Sequence, residues 1–433
     1  MCEMLFFIKR RLLNNKETKN ATWIIGGKIA QMVLSFFVGV LTARYLGPGQ
    51  YGIINYVAAY VAFFTSFCTL GISSIIVKEF SDEPEKQGET IGTTLILRGA
   101  SSLLSAIMIV AIVAVLDHNE PTTIVVAILS SIALFFHVAD TFNYWFQSRY
   151  QSKVTSIATL IAYAVTSAYR IVLLATNRSI EWFAFASSID YLCIAIVLFA
   201  SYKKYNGQKL RFSWMAAKRL LGKSYHYILA GMMVAIYGQT DKMMLKQMLS
   251  EEAVGYYSLA STINNMWVFV LAAIIDSITP TIIQLFKTNK LMYERKNRQL
   301  YAIVLYTSFA VAIGFMLLGK LFIRIVYGEA YLNAVEPLKI ICWYTGFSYL
   351  GVARNAWIVC ENQQKYLKFI TGGAAIANVC LNLVLIPLWG ASGAAAASLI
   401  TQVLTVTLIP WLIKDIRPNV KLMIDAFLLR GIK

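Results

Sequence analysis

The chain has 433 residues, 58% of them hydrophobic and only 14% charged, with a mean hydropathy of +0.61. Soluble domains carry about 25% charged residues, so these values exclude a soluble globular protein and indicate a polytopic membrane protein. A net charge of +17 would suggest a nucleic-acid partner on a soluble chain; here Lys and Arg gathered in cytoplasmic loops account for it, and no nucleic acid is expected.

The N-terminal tail carries Lys9, Arg10, Arg11, Lys16 and Lys19. A full-length apolar span follows it, with no short core and small-residue cleavage site, so no cleaved leader is expected. Spans of roughly 20 residues or more are predicted at 21–46, 51–77, 91–116, 122–146, 154–175, 180–202, 224–249, 254–286, 300–326, 333–360, 366–388 and 391–413. The eighth contains Pro280 and is expected to kink or tilt there. The loops alternate in charge. The N-terminal tail, Lys78/Lys86, Arg149/Lys153, 203–223, 287–298, Lys365/Lys368 and the C-terminal tail are basic, whereas 117–120, 176–181 and 387–391 are nearly free of cations. The positive-inside rule then places both termini in the cytoplasm.

The richest basic stretch holds Lys203, Lys204, Lys209, Arg211, Lys218, Arg219 and Lys223. It divides the chain into an N-terminal bundle of six spans (1–202), a basic cytoplasmic linker (203–223) and a C-terminal bundle of six (224–433). The linker reads as a topological anchor, with contact to anionic membrane lipids as an additional role. The halves resemble copies. Aligning Gly52 with Gly255 brings the ends of spans two and eight nearly into step, Ile72-Ser-Ser-Ile-Ile beside Ile278-Thr-Pro-Thr-Ile-Ile. Parallel repeats of this kind rock about a central cavity in transporters.

Four cations lie inside the apolar spans: Lys28, Arg98, Arg170 and Arg354. Each costs roughly 2.5–3.5 kcal/mol near a helix centre, so they are tolerated where they face protein, water or an anion. Lys28, Gln31, Ser35, Gly39 and Thr42 share one face of span one, and Arg98, Ser102 and Ser105 one face of span three. Lys28, Arg98 and Arg354 lie about two turns from the cytoplasmic end, where a snorkelling side chain still reaches the headgroups. Arg170 lies nearer the outer end. Two readings therefore stand for the first three, snorkelling or a cationic vestibule that binds a phosphate-bearing substrate. The acids Asp140, Asp190, Asp241 and Asp276 are also intramembrane, and His137 sits one turn before Asp140. Asp140, His137, Asp190 and Asp276 are coupling candidates, to be weighed against static ion pairs. Asp241-Lys242 reads as a local pair near the outer surface. The six cysteines form no CxxC or Cys/His pattern and read as inert thiols. No P-loop, metal-spaced His cluster or acidic catalytic loop is present, so neither an enzyme nor a cofactor is expected.

The stretch Leu41-Thr-Ala-Arg-Tyr-Leu-Gly-Pro-Gly-Gln-Tyr-Gly resembles a signature of polysaccharide exporters in the multidrug/oligosaccharidyl-lipid/polysaccharide superfamily. Asp241-Lys-Met-Met-Leu, Glu252-Ala-Val-Gly-Tyr-Tyr-Ser and Gly390-Ala-Ser-Gly-Ala-Ala-Ala-Ala-Ser resemble it too. In length and style the chain is most similar to the O-antigen (Wzx-type) flippases of bacterial inner membranes. The resemblance implies an all-α protein of twelve transmembrane helices in two pseudo-symmetric six-helix bundles forming a V. It implies a cationic cavity that moves an undecaprenyl-diphosphate-linked oligosaccharide to the outer leaflet, coupled to an H+ or Na+ gradient. A polysaccharide polymerase and a chain-length regulator are the partners such a flippase has. The motif positions carried over are Arg44, Gly47, Gly52, Asp241 and, by the internal alignment, Gly255. Other lipid-linked glycans, such as capsule, exopolysaccharide, teichoic or peptidoglycan precursors, are the alternative cargo, and a drug/cation antiporter suits the buried cations poorly.

Overall fold

The computed structural model describes the backbone of residues 16–432 and side chains from residue 31 on, apart from those of Ser74 and Ala230. Its elements are helical: α1 (Lys16–Cys68), α2 (Ser73–Asp82), α3 (Gln87–Leu116), α4 (Pro121–His137), α5 (Asp140–Ser148), α6 (Ser152–Ala175), α7 (Ile180–Lys204) and α8 (Trp214–Met248). There follow α9 (Glu251–Asn265), α10 (Val268–Thr288), α11 (Lys290–Val326), α12 (Val335–Cys360), α13 (Leu367–Val406), α14 (Leu408–Leu412) and α15 (Arg417–Phe427). Among the described residues, eight helical stretches are long and apolar enough to cross a membrane. Their outer faces are apolar: Leu317, Leu318 and Ile325 on α11 are 76%, 61% and 64% exposed. Apolar faces of this extent belong against lipid, not water.

Helix ends follow local chemistry. Pro121 opens α4 at a position where its missing N–H costs nothing. The Asn289 side chain accepts from Met292 N at 3.1 Å to cap α11, and Ser250 caps α9, whose first turn carries Glu251 and Glu252. Two helices are kinked at a glycine with non-helical backbone angles. α1 turns at Gly47 (φ +69°), followed by Pro48, and α13 turns at Gly390 (φ +60°), after Pro387. These positive φ values are open to glycine at little cost. Spans one and two are thus limbs of α1, and spans eleven and twelve limbs of α13.

Several boundaries differ from the sequence expectation. Span two breaks at Leu70–Gly71, span four at Val138–Ala139 and span eight at Met266–Trp267, whereas the helix runs on through Pro280. The basic linker is non-helical only over 205–213, because α8 begins at Trp214.

The chain forms two compact units. Unit 1 is Met1–Leu46 with Val57–Met232, and unit 2 is Gly47–Tyr56 with Met233–Lys433. In unit 1, α4 and α6 pack on α7 and α3 packs on α4, with Ile76, Phe80, Trp145, Phe146 and Leu220 in a buried core. Gln87 ties this core together. It donates to Phe80 O at 2.8 Å and accepts from Trp145 Nε1 at 2.9 Å and Arg149 Nη2 at 3.0 Å. In unit 2, α12 packs between α11 and α13 around Leu300, Tyr301, Val304, Ala353 and Ile358.

The short segment of α1 assigned to unit 2 explains one motif. A Cβ on Gly52 would stand 1.8 Å from Glu251 O, and a Cβ on Gly255 would stand 2.1 Å from Pro48 O. The contact is reciprocal, because each glycine rests on the carbonyl four residues before the other. The two positions paired by the internal alignment therefore touch across a local two-fold, and only glycine lets the backbones meet so closely.

Candidate functional site

Three helices of unit 2 turn polar stripes inward. Tyr237 and Asp241 lie one turn apart on α8; Tyr257, Ser261 and Asn264 recur on α9; Asn378 and Asn382 share a face of α13 before its bend, and Ser398, Thr401 and Gln402 a face after it. Bending α13 at Gly390 lets both of its limbs reach one point. All of these except Asn382, with Tyr344 of α12, line a cavity of about 170 Å³, room for more than one water molecule.

Asp241 is the centre of this site. It is 3% exposed. One carboxylate oxygen accepts from Asn382 Nδ2 at 2.6 Å and Asn378 Nδ2 at 3.1 Å. The other accepts from Tyr257 OH at 2.5 Å and from the Ser398 hydroxyl. An ionised carboxylate offers about four acceptor directions, and neutral donors fill all of them. Asp241 is buried within unit 2, and Lys242 borders the same cavity within electrostatic range of it, although the hydrogen bonds to the carboxylate come from neutral groups. Around the carboxylate, Asn382 Oδ1, Ser261 Oγ and Thr401 Oγ1 are buried without a hydrogen-bond partner. Unpaired buried oxygens are costly. Beside a carboxylate, such oxygens suit a small cation or an added proton, the chemistry of hard, oxygen-rich sites.

The intramembrane cations separate into different settings. Arg98 on α3 is 2% exposed. It donates through Nη2 to His137 O at 3.2 Å and to His137 Nδ1 at 3.1 Å, and through Nη1 to Thr141 Oγ1 at 3.1 Å. His137 is the last residue of α4 and Thr141 the second of α5, so the guanidinium bridges the break in span four. Arg354 on α12 is 4% exposed and donates to Thr405 O at 2.8 Å, next to the last residue of α13, where Thr407 (φ −115°, ψ −80°) ends the ladder. Each guanidinium thus caps a helix C-terminus, where free carbonyls carry negative partial charge. Neither snorkels, and neither faces open solvent. Arg170 is half-buried on α6 and lies within electrostatic range of Asp190, which accepts from Thr166 Oγ1 at 3.4 Å. The Lys28 side chain lies outside the described residues.

Of the acids proposed for coupling, Asp140 opens α5 and accepts from Asn143 Nδ2 at 3.1 Å. His137 stacks edge-on against Tyr191 at 5.0 Å between ring centres. Asp276 is exposed on α10. Arg44 is exposed on α1 and Gly47 forms its bend. The sequence reading missed Tyr257, Asn378, Asn382 and Ser398 as partners of Asp241. Paired amides one turn apart inside a strongly apolar span were the available signal.

Residues 18–286 match the family described as polysaccharide biosynthesis protein. A search of curated protein sequences gives no match. Among solved structures, the lipid II flippase MurJ in its inward closed conformation is similar with a TM-score of 0.72 at 14% identity, covering 94% of this chain and 91% of that one. An inward-facing multidrug resistance MATE family transporter of the MOP superfamily is similar with a TM-score of 0.66 at 13% identity over 91% and 96% of the two chains. A MOP superfamily transporter from Pyrococcus furiosus gives 0.55 at 10% identity over 95% and 97%. At these identities the solved structures show the fold. The family match extends over more than half of the sequence, and so the chain, with the multi-pass membrane fold of these structures, belongs to the polysaccharide biosynthesis protein family.

Proposed function

We propose that the protein is a flippase of a bacterial inner membrane. It moves an undecaprenyl-diphosphate-linked oligosaccharide repeat unit from the cytoplasmic to the outer leaflet by alternating access, driven by an H+ or Na+ gradient. The observation that carries this reading is the buried Asp241 carboxylate, set in a polar cavity of a chain whose family builds polysaccharides. Soluble substrates of that pathway need no membrane carrier, whereas a polyprenyl-linked glycan must cross a bilayer. A count of twelve spans is supported by the eight apolar stretches if the two kinked helices are each divided and α8 and α12 are included. The last two are less apolar and carry Asp241, Lys242 and Arg354. The basic loops place both termini in the cytoplasm.

Within this mechanism Asp241 binds the coupling ion, with Asn382, Ser261 and Thr401 supplying further oxygens. The diphosphate is assigned to cations other than the two helix caps, Arg170 and Lys28, leaving Arg98 and Arg354 to hold the broken helices. Deleting the gene should leave lipid-linked oligosaccharide in the cytoplasmic leaflet. Asp241→Asn, which keeps the side-chain volume, should leave the protein in the membrane and abolish gradient-driven flipping in proteoliposomes. Flipping by Asp241→Asn that still responds to an imposed H+ or Na+ gradient would remove Asp241 as the coupling site. An unaltered leaflet distribution in the deletion strain would remove the flippase reading itself.

A further inference from the structure

The basic segment after α7 takes no part in the site of unit 2, and it is a fastened platform rather than a slack tether. Arg211 N donates to Gly88 O at 3.2 Å and Ser213 N to Thr93 Oγ1 at 3.0 Å. The Gln208 side chain accepts from Gly88 N and donates to Pro84 O, both at 2.8 Å. A Cβ on Gly92 would stand 2.5 Å from Arg211 O, so the segment lies directly on the start of α3. One turn into α8, Arg219 pairs with Glu83 at 3.0 Å and Glu79 at 3.4 Å, and Lys223 pairs with Glu79 at 3.1 Å. Ala216, Ala217 and Leu220 are buried against the rest of unit 1.

This fastening turns a particular chemistry outward. Phe212, Trp214 and Met215 are 46%, 64% and 83% exposed, and Lys209, Arg211 and Lys218 are exposed between and beside them. Lys218 Nζ stands 5.9 Å from the Trp214 ring centre. The sequence has no Asp or Glu between Asp190 and Asp241, so nothing acidic on the segment itself neutralises the patch. A protein interface core is depleted of lysine. Cations interleaved with Trp, Phe and Met fit a surface that is anionic outside and apolar a few ångströms deeper.

We propose that residues 209–218 form a rigid docking surface for anionic phospholipids. Phe212, Trp214 and Met215 enter the headgroup–acyl boundary, and Lys209, Arg211 and Lys218 hold lipid phosphates. Because the segment is bonded to unit 1, lipid charge acts on that unit as a body.

The test uses the full chain in nanodiscs containing brominated phosphatidylglycerol or brominated phosphatidylcholine. Trp214's share of the fluorescence is obtained by difference from Trp214→Phe. That share should be quenched, and more strongly by the anionic lipid. Replacing Lys209, Arg211 and Lys218 by Gln should erase the preference, with affinity for phosphatidylglycerol falling about fivefold per charge removed. The thermal midpoint should hold, since none of the three joins the Glu79/Glu83 pairs. Absence of quenching by either lipid would overturn the proposal, as would equal quenching by both in the unmodified protein or a preference that survives the triple substitution.

Discussion

Replacing Gly52 by Ala would set a methyl group 1.8 Å from Glu251 O, and replacing Gly255 by Ala would set one 2.1 Å from Pro48 O. Ordinary contact begins near 3.4 Å, so either change forces the second limb of α1 and the start of α9 apart by more than an ångström. The obstructing atoms are backbone carbonyls, which cannot rotate away as a side chain would. Overpacking typically costs about 1–3 kcal/mol, and the upper part of that range is expected here. The separation would also strain the Gln247–Tyr56 hydrogen bond at 2.8 Å and the edge-on contact of Tyr51 with Tyr331. Reciprocity gives a sharper expectation. Both clashes are relieved by the same movement, so the double variant should cost less than the two singles together, with a coupling of about 1–2 kcal/mol. Denaturant unfolding of the purified protein in detergent measures all three. Additivity within about 0.5 kcal/mol would show that the glycines act separately and would refute the shared two-fold contact.

Other outcomes test the remaining parts. Arg98→Lys keeps the charge but not the fork that spans His137 O and Thr141 Oγ1; it should lower stability in detergent by about 1–3 kcal/mol, whereas a purely electrostatic role predicts no loss. Asn382→Ala removes the 2.6 Å bond to the buried carboxylate and should cost about 1.5–3 kcal/mol, read as a lowered unfolding midpoint. The hydrogen bond from Lys86 holds the Glu83 carboxyl below its ordinary value of 4.5. A depressed carboxyl stabilises the fold above its unfolded value and loses that contribution as pH falls through the folded one. Protease cleavage within 205–213 should therefore rise only below about pH 4.5, and a rise near neutrality would contradict the clamp.

The spans were legible because long apolar runs report lipid exposure directly. Their breaks were not. Leu70–Gly71, Val138–Ala139 and Met266–Trp267 interrupt the helices within largely apolar sequence, where periodicity carries little information. Pro280, where a kink or tilt is expected, lies inside α10 and marks none of these breaks. The site was legible in part: Asp241 stood out as a motif acid, but its partners lie 16, 137, 141 and 157 residues away. Spacing along one helix cannot show which stripes of three helices meet, and it could not show that Gly390 bends α13 so that Asn382 and Ser398 reach the same carboxylate.

Two of the cations that the sequence offers as an anion pathway are bound up with backbone. A helix that stops inside a membrane leaves carbonyls that no water can satisfy, at several kcal/mol each. A guanidinium buried in the same place lacks solvation and needs acceptors. Arg98 at His137 O and Arg354 at Thr405 O serve both needs in part, while the Nε of each stays buried without a hydrogen-bond partner. A charge so placed does not by itself mark a route for substrate. Asp241 differs in kind. Its partners are side-chain hydroxyls and amides that can rotate, and unpaired oxygens lie beside it. Neutralising the carboxylate with a proton, or sharing it with a cation, would release those donors and change how α8, α9 and α13 are held together, whereas backbone caps offer no comparable exchange. The coupling step is therefore more reasonably sought at Asp241 than at any of the buried arginines.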